Sequence, residues 1–313
     1  MRVLVTGATG FAGRWLTREL EAHGHVVVPA PDMDVLDIGD VSAVRRLIEE
    51  AGPDAIAHLA GMAFAGDART DPGEAFRVNV GGTAAVLEAA GRLGRAGRMG
   101  RVGPPVVLVT GSGEVYGRPR PEDLPLRENA PLLPVAPYGL SKLAQEAVAL
   151  EVSAAHDVPV VVTRAFNHVG PGQRAEFVVP ALARRVLAVR AGGAEEVRVG
   201  NADVRRDFTD VRDVVRAYRL LLEAAVGGAL PARRTVVNVA SGRPVSIRWI
   251  AEELMRLAGC DAPLALDQAL VRPDDPEEIA GDATLLASLT GWMPGIPLER
   301  TLADVLDALG GGL

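Results

Sequence analysis

The sequence predicts an α/β fold, in which a doubly wound, mostly parallel sheet is joined to a smaller C-terminal α/β domain. Short apolar segments alternate with helical segments from residue 2 to residue 163, a rhythm that is typical of parallel sheets. A glycine-rich turn follows the first apolar segment, whereas residues 170–205 and 241–313 lack the alternation. We therefore expect residues 1–169 and 206–240 to form the sheet domain and the other two segments to form the smaller domain.

Length, charge and cysteine content limit the kind of protein this can be. A chain of 313 residues can bury a large core without disulfides or structural metals. The single cysteine, Cys260, cannot form an internal disulfide, and no Cys/His cluster around it predicts a metal site. The net charge of −7 argues against nucleic acid as the main partner. Neither a signal-peptide pattern nor an apolar run of about 20 residues occurs, so we expect a cytoplasmic protein without a membrane partner.

The first predicted strand, Val3-Leu4-Val5, runs into a turn with the pattern G-x-x-G-x-x-G and then into an amphipathic helix. Glycine permits the tight turn, and the N-terminus of the helix offers N–H donors and a positive dipole to a pyrophosphate. Directly after an N-terminal strand, this pattern favours dinucleotide binding over a plain strand-to-helix turn. The predicted cofactor contacts in this turn are Gly7, Thr9, Gly10, Phe11, Ala12 and Gly13.

The end of the second strand leaves the choice of dinucleotide open. An acidic residue at this point binds the adenosine ribose of NAD, whereas a nearby arginine suits the phosphate of NADP. Here residues 25–28 run into Pro29-Ala30-Pro31-Asp32, so the carboxylate is displaced to Asp32. Asp37 and Ile38, after a predicted short third strand, are candidates for the adenine edge. NADP(H) is favoured as cofactor, and NAD(H) is possible.

Further cofactor contacts are predicted after the next buried strand, over residues 55–61. Its small residues would let a cofactor lie close over the sheet, and the candidates are Leu59, Ala60 and Gly61. Asn79, on a long helix predicted over 72–91, is another. His58 lies within the apolar run and is expected to be a hydrogen-bonded core histidine rather than a ligand. The glycine- and arginine-rich stretch 91–105 favours a mobile surface loop over a phosphate-binding arm.

The catalytic candidates follow the strand predicted at 106–110 and open the next helix. The strand delivers Ser112 and Glu114 at its carboxyl end, the edge where ligands bind in open α/β sheets. Tyr138 and Lys142 are four residues apart, so on a helix both project from one face. An ammonium near a phenol lowers the pKa of the phenol and suits it to proton transfer at neutral pH. Ser112 would bond the oxygen that Tyr138 protonates.

Four signatures in this order resemble the extended short-chain dehydrogenases/reductases, the NAD-dependent epimerase/dehydratase family, whose members act on nucleotide sugars. They are the turn Thr6–Gly13, Ser112 with Tyr116-Gly117, Tyr138-x-x-x-Lys142, and the segment 206–213. The resemblance spans nearly the whole chain. It implies a Rossmann-type dinucleotide-binding domain, a substrate-binding C-terminal domain and an NAD(P)-dependent oxidoreductase. It also implies that Ser112, Tyr138 and Lys142 are catalytic, with Lys142 holding the nicotinamide ribose.

Further stretches are most similar to the members of this family that handle GDP-6-deoxyhexoses. Residues 166–173 resemble the segment that crosses into the substrate domain, and Arg272 to Asp275 resemble an R-P-x-E motif that contacts GDP ribose and phosphates. The implied substrate-binding residues are Asn167, Arg206, Arg272 and Asp275. Arginine forks suit a diphosphate on chemical grounds too. The resemblance also implies a homodimer in which the helices near 72–91 and 138–155 pair as a four-helix interface.

The reaction class depends on what the site supplies beside the tyrosine. A 4,6-dehydratase needs a base, for which Glu114 is a candidate, and a donor for the departing hydroxyl, where this chain has Gly113. A 4-ketoreductase needs only a hydride, the tyrosine and the serine. We therefore expect NAD(P)H-dependent reduction of a nucleotide-linked 4-keto-6-deoxyhexose. A UDP-sugar 4-epimerase, a GDP-mannose 4,6-dehydratase and a non-catalytic nucleotide sensor stay as alternatives.

Overall fold

The computed structural model of the chain describes residues 1–96, 103–272 and 275–310. Its helices are α1 (Phe11–Ala22), α2 (Val41–Ala51), α3 (Ala65–Thr70), α4 (Pro72–Phe76), α5 (Gly82–Ala96), α6 (Pro137–His156), α7 (Val178–Arg190), α8 (Val211–Val226), α9 (Ile247–Ala258), α10 (Thr284–Thr290) and α11 (Leu298–Ala308). Its strands are β1 (Arg2–Thr6), β2 (Val26–Pro29), β3 (Ala55–His58), β4 (Val106–Thr110), β5 (Val160–Ala165), β6 (Asn167–Val169), β7 (Val197–Val199), β8 (Arg205–Asp210), β9 (Arg234–Val239), β10 (Pro244–Ser246), β11 (Leu264–Leu266) and β12 (Glu278–Ile279).

Six strands form one parallel sheet in the order β2-β1-β3-β4-β5-β9. Successive side chains of a strand point to opposite faces, so Val3 and Val5 pack with α1 and α8 while Leu4 packs against α2 and α5. Helices therefore cover both faces, and the predicted doubly wound α/β fold is confirmed. The carboxyl ends of β1, β3, β4 and β5 meet at one edge, where the candidate site residues follow.

A second core lies beside this edge. Strand β8 pairs with β6, β10 and β12, and β7 pairs with β11 in a separate two-stranded ribbon. Apolar residues of α7, α9 and α11 pack over these strands around Leu182, Leu254 and Leu302. Strand β8 belongs to this second sheet, although α8, which follows it directly, packs against α1 on the first. The boundaries of the two predicted domains stay a prediction.

Two local predictions were wrong. The short third strand expected before Asp37 is absent, and residues 30–40 hold no strand. Instead the N–H groups of Val35 and Leu36 both bond to the carbonyl of Asp32, which curls the chain into turns. Prolines at 29 and 31 withhold two N–H donors that a strand here would need.

The long helix predicted over 72–91 is confirmed, with a π-helical turn inside it. Helix α4 ends at Phe76, Arg77–Gly81 form a π-helical turn, and α5 continues to Ala96. The chain stays helical past Gly91 because Leu93 is buried in the apolar core beneath the helix. The surface loop predicted over 91–105 was therefore wrong for residues 91–96, which are helical, and residues 97–102 lie outside the described residues.

Candidate active site

The glycine turn lies where the sequence places it, between β1 and α1. Gly7 has φ +70°, and a Cβ added there would lie 2.8 Å from the backbone nitrogen of Ala60. Helix α1 begins at Phe11, and no side chain caps it at Gly10. Its first N–H groups are therefore available to an anion, and the positive end of the helix dipole favours one. This cradle of small residues and free donors fits the diphosphate of a dinucleotide.

His168 is a neighbour of this turn that the sequence analysis did not single out. Its ring stacks on that of Phe11, with centroids 5.9 Å apart and planes 4° from parallel. Strand β6 places it there by pairing with β8. Burial lowers the pKa of the imidazole below its usual value, which keeps the ring neutral beside the turn. Only the tertiary pairing of two short strands brings this histidine to Phe11.

The predicted adenosine contacts form a small surface group. Asp37 accepts from the guanidinium of Arg77 at 2.8 Å and from the backbone N–H of Gly39 at 2.8 Å. These bonds lower the pKa of its carboxyl, the bond from Gly39 most. Asp32 is exposed, and Ile38 is buried under α5. In this structure Asp37 is paired with Arg77, so its contact with adenine stays a prediction.

Asn79 ties the segment after β3 to the helix that carries the tyrosine. Its amide oxygen accepts from the N–H of Met62 at 2.9 Å, and its amide nitrogen donates to the hydroxyl of Ser141 at 2.9 Å. Ser141 in turn donates to the carbonyl of Tyr138 at 2.8 Å. Asn79 thus packs closely against Gly61, and its predicted contact with a cofactor remains a prediction.

Ser112, Tyr138 and Lys142 meet at the edge of the sheet. Strand β4 ends two residues before Ser112, and α6 begins at Pro137, a residue favoured in the first turn of a helix. Gly139 lets the two segments approach, since a Cβ there would lie 2.8 Å from the carbonyl oxygen of Glu114. Tyr138 hydrogen-bonds Ser112, and the ammonium of Lys142 lies 5.9 Å from the centroid of the tyrosine ring.

The pKa of Tyr138 does not shift in the direction that the sequence predicted. Loss of water around the phenol raises its pKa well above the usual value, while the hydrogen bond with Ser112 acts to lower it and the charge of Glu114 acts to raise it. Lys142 does not offset this, because its ammonium donates to the carbonyl of Thr110 at 2.9 Å and to Gln145 at 2.8 Å instead of to the phenol. Tyr138 is therefore a protonated phenol at neutral pH.

Lys142 is unusual both for its residue type and for its burial. It is the only lysine among the 33 lysine and arginine residues. Its side chain is buried, and burial lowers the pKa of its ammonium to about 8. A buried ammonium is stabilised only where acceptors surround it, and here they are Thr110 and Gln145. The sequence predicted neither partner.

A cleft opens beside this group, between the end of β4 and the second sheet. Its wall is formed by Ser112, Gly113, Glu114, Ala165, Phe166, Asn167, Arg206, Asp207 and Ile279. Glu114 is exposed to the solvent of the cleft, yet the surrounding protein raises the pKa of its carboxyl. Asn167 is also exposed there, so its amide is free to meet a ligand.

The predicted diphosphate contacts are arranged differently from what the sequence suggested. Arg206 is buried, and its guanidinium donates to the carboxylate of Asp275 at 2.5 Å. Arg272 is exposed and is held by its backbone, whose N–H donates to the side chain of Asn201 at 2.8 Å. Pro273 and Asp274 lie outside the described residues. Two of the four substrate candidates thus bond each other, which points Arg206 toward the cleft in a fixed orientation.

Three polar side chains near the site are used within the protein. The carboxylate of Asp207 accepts from Ser241, Gly242 and Gly281, so it is used within the protein although it borders the cleft. Likewise Asp210 caps α8. His58 is fully buried and bonds the hydroxyls of Thr6 at 2.8 Å and Thr83 at 3.1 Å, as expected of a core histidine.

Residues 3–240 match the family described as "NAD dependent epimerase/dehydratase family". The chain belongs to this family. The predicted relationship to extended short-chain dehydrogenases/reductases is thereby confirmed, and so is the prediction of an NAD(P)-dependent enzyme. This family member is 34% identical to GDP-6-deoxy-D-mannose reductase from Pseudomonas aeruginosa over 309 residues, which cover 97% of this chain and 96% of that protein.

Solved structures extend the comparison to cofactor-bound relatives. The structure of RMD from Pseudomonas aeruginosa complexed with NADPH matches this family member with a TM-score of 0.87 and 33% identity, covering 100% of this chain and 99% of that one. UDP-glucose 4-epimerase from Thermus thermophilus in complex with NAD matches with a TM-score of 0.82 and 26% identity over the whole of both chains. An NAD(P) cofactor is therefore supported, and the choice between the two forms is a proposal.

The predicted partners have less support. Within the described residues, no helix is both long enough and apolar enough to cross a membrane. The predicted homodimer through the helices near 72–91 and 138–155, and the predicted cytoplasmic location, stay predictions.

Proposed function

We propose that this protein is an NADPH-dependent 4-ketoreductase of a nucleotide-linked 4-keto-6-deoxyhexose, with GDP-4-keto-6-deoxy-D-mannose as the substrate and GDP-D-rhamnose or its C4 epimer as the product. The observation that carries the proposal is the grouping of Ser112 and Tyr138 beside a cleft in which the neighbouring position, Gly113, has no side chain. Reduction of a ketone ends with protonation of an alkoxide, and a phenol that holds its proton is the acid that this step needs. The relative named as a GDP-6-deoxy-D-mannose reductase supports the choice of sugar.

Each residue of the group has a distinct task in this proposal. The nicotinamide, when bound, supplies the hydride that reduces C4. Ser112 donates a hydrogen bond to the carbonyl oxygen and polarises it, and Tyr138 gives that oxygen its proton. Lys142 binds the nicotinamide ribose through an N–H not used by Thr110 and Gln145. The uncapped start of α1 binds the cofactor diphosphate.

The cleft favours reduction over dehydration. Elimination of water across C5 and C6 needs a base and a second proton donor besides the tyrosine. Glu114 can serve as the base, but Gly113 beside it has no side chain, and an added Cβ would lie 3.2 Å from the ring of Phe166. Asp207, the other carboxylate of the cleft wall, is used by its bonds to Ser241, Gly242 and Gly281. Among the described residues of the cleft wall, the second proton donor that dehydration needs is therefore lacking.

The direct test is turnover with defined cofactors and sugars. Purified protein is mixed with GDP-4-keto-6-deoxy-D-mannose and either NADPH or NADH, and oxidation of the cofactor is followed by its absorbance. We expect NADPH oxidation equal to the ketone consumed, with slower oxidation of NADH. Proton coupling constants of the product at C4 then identify GDP-D-rhamnose or its epimer.

Two matched assays can contradict the proposal. GDP-mannose with NADP is expected to give no ketone, and UDP-glucose with NAD is expected to give no UDP-galactose. Dehydration of GDP-mannose without reduction of the ketone would establish the dehydratase. Tightly bound NAD that leaves only on denaturation, together with interconversion of UDP-sugars, would establish the epimerase.

Removing the Arg206 guanidinium is expected to raise the KM for the nucleotide sugar by about 10- to 100-fold with little change in kcat. The bond lost is to the diphosphate, far from C4, so it contributes equally to ground state and transition state. The variant to measure is Arg206→Met combined with Asp275→Asn, which avoids leaving an unpaired carboxylate in the cleft, and it is compared with Asp275→Asn alone so that the difference isolates the guanidinium. Steady-state kinetics at saturating NADPH separate the two constants.

The neighbouring arginine provides the control. Arg205 is exposed and donates to Glu278 at 2.6 Å on the outer side of the same strand. Arg205→Met combined with Glu278→Gln is expected to leave KM unchanged. Equal KM values for the two double variants would show that Arg206 does not contact the substrate.

A further inference from the structure

Gln145 lies one helical turn after Lys142 and contacts its ammonium directly. The amide oxygen accepts from Nζ at 2.8 Å, and the side chain is almost completely buried. An amide can present either its oxygen or its NH₂ group to a neighbour, and only the oxygen stabilises an ammonium. The orientation of this amide therefore determines whether Gln145 holds Lys142 or repels it.

Thr83, on α5, fixes that orientation. Its hydroxyl oxygen lies 2.7 Å from the carbonyl oxygen of Asn79. A carbonyl only accepts, so the single hydrogen of the Thr83 hydroxyl is used in this bond. The hydroxyl can then only accept from the amide of Gln145, which lies 2.8 Å away. The NH₂ group of Gln145 must face Thr83, and its oxygen must face Lys142.

The same constraint continues into the sheet. His58 Nε2 lies 3.1 Å from the Thr83 hydroxyl and must donate to it. The ring is neutral, since burial lowers the pKa of His58 to about 3, so Nδ1 accepts from the hydroxyl of Thr6 at 2.8 Å. Thr6 accepts from the backbone N–H of Ala60 at 3.2 Å. Each hydrogen bond in the series Thr6, His58, Thr83 and Gln145 therefore has one allowed donor and one allowed acceptor.

Two hydrogen bonds, Asn79–Ser141 and Gln145–Thr83, link the π-helical turn and α5 to α6. Asn79 and Thr83 are four residues apart, as are their partners Ser141 and Gln145, and as are Tyr138 and Lys142. Ser141 in turn bonds the carbonyl of Tyr138, and Gln145 in turn bonds the ammonium of Lys142. The π-helical turn is a feature often found at functional sites. Here it carries Asn79 and immediately precedes the helix of Thr83.

We propose that Gln145 is a positioning residue for Lys142, oriented by the hydrogen-bond chain Thr6–His58–Thr83. An ammonium has three N–H groups, and with Thr110 and Gln145 as two fixed acceptors the third is directed to a ligand above the sheet. The inference rests on the proposed function, in which Lys142 binds the nicotinamide ribose. It adds Gln145 as a residue that affects the reaction only through the ammonium of Lys142.

The elements around Lys142 carry charged groups that are mostly paired with one another. On α6, the ring of Tyr138 lies 5.9 Å away and is neutral. From β5 the guanidinium of Arg164 is paired with Glu146 at 2.6 Å, from α3 Asp67 is paired with Arg174, and from α4 Glu74 is paired with Arg77. Neutral His58 faces Lys142 from β3, and Glu114 lies beyond Tyr138 at the exposed side of the cleft.

The test uses the fact that Lys142 is the only lysine in the chain. Protein labelled with lysine carrying ¹³C at Cε gives one lysine signal, whose chemical shift against pH reports the pKa of Lys142 without cofactor or substrate. Gln145→Met removes the acceptor and is expected to lower that pKa by about one unit. Gln145→Glu adds a negative charge and is expected to raise it by about one unit or more.

Two variants of Thr83 test the chain behind the amide. Thr83→Ser keeps the hydroxyl and is expected to leave the pKa of Lys142 at the wild-type value. Thr83→Val frees the amide of Gln145 and is expected to lower that pKa by less than Gln145→Met does. The control on the same helix is Ser153→Ala, which removes a buried hydroxyl bonded to the carbonyl of Leu150 and lies away from Lys142. Thermal unfolding shows that each variant is folded.

A lowered pKa in Gln145→Met, with a wild-type value in Thr83→Ser, supports the proposal, and the raised value expected in Gln145→Glu shows that the signal reports on charge at this position. Unchanged values in both folded variants overturn it. Affinity for NADPH is measured on the same samples and is expected to fall by about 10-fold in Gln145→Met. Shifts as expected in a protein that does not reduce the ketone would overturn the proposed function and leave the positioning of Lys142 intact.

Discussion

Tyr138→Phe is expected to lower kcat for ketone reduction by about 100- to 10,000-fold, the usual contribution of a positioned general acid. The variant loses only the phenolic hydroxyl, so the ring still packs beside Lys142 and NADPH affinity is expected to change little. Because the phenol in this structure holds its proton, its loss removes the donor for the alkoxide, not a base. Stopped-flow measurement of NADPH oxidation separates this step from product release.

A second tyrosine supplies the matched control. Tyr218 on α8 is buried, and burial raises the pKa of its phenol to about 12, as burial also raises the pKa of Tyr138. Tyr218→Phe removes the same atom from the protein and is expected to keep kcat close to the wild-type value. If Tyr138→Phe reduced the ketone at the rate of Tyr218→Phe, the proposed role of Tyr138 would be wrong.

The sheet and the reacting group were predictable because their signals are local. Alternation of apolar segments and helices, and glycines spaced around one turn, each depend on neighbours within a few residues. Ser112 and Tyr138 could be brought together in advance because the carboxyl ends of parallel strands meet at one edge. The order of β1, β3, β4 and β5 in the sheet does bring them to that edge.

The pairings that define the cleft depend on residues far apart in sequence. Arg206 and Asp275 are separated by 69 positions, and each alone resembles a free ligand for a diphosphate or a ribose. Their ion pair appears only when β8 and the segment before β12 are placed side by side. Spacing alone could not show that two of the predicted substrate contacts bond each other.

The direction of the pKa shift of Tyr138 was missed for a different reason. The four-residue spacing correctly places Lys142 near the tyrosine, but an ammonium acts through the position of its nitrogen and through what else it contacts. Here Nζ donates to Thr110 and Gln145, and burial of the phenol raises its pKa. Neither partner has a sequence signal, since Gln145 resembles any polar residue on a helix.

Lys142→Arg is expected to abolish most activity, with kcat/KM lowered by about 100-fold or more, although charge is conserved. Every other cationic residue among the 33 lysines and arginines of the chain is arginine, so this substitution would make position 142 like the rest. A planar guanidinium is larger than an ammonium and presents its donors in a fixed fork, whereas this buried position offers two acceptors to a single nitrogen. NADPH affinity is expected to fall as well, because the donor to the ribose is displaced.

The reverse exchange at the surface provides the comparison. Arg256 on α9 is exposed and donates to Glu253 at 2.7 Å, so Arg256→Lys is expected to leave kcat/KM unchanged. The pH profile gives an independent check on Lys142. In the wild type, kcat/KM is expected to fall as pH rises through about 8, where the ammonium loses its proton, and this limb should be absent in the residual activity of Lys142→Arg, because arginine keeps its charge. A variant with wild-type kcat/KM and no alkaline limb would show that only the charge at position 142 matters, and that neither its geometry nor its acceptors contribute.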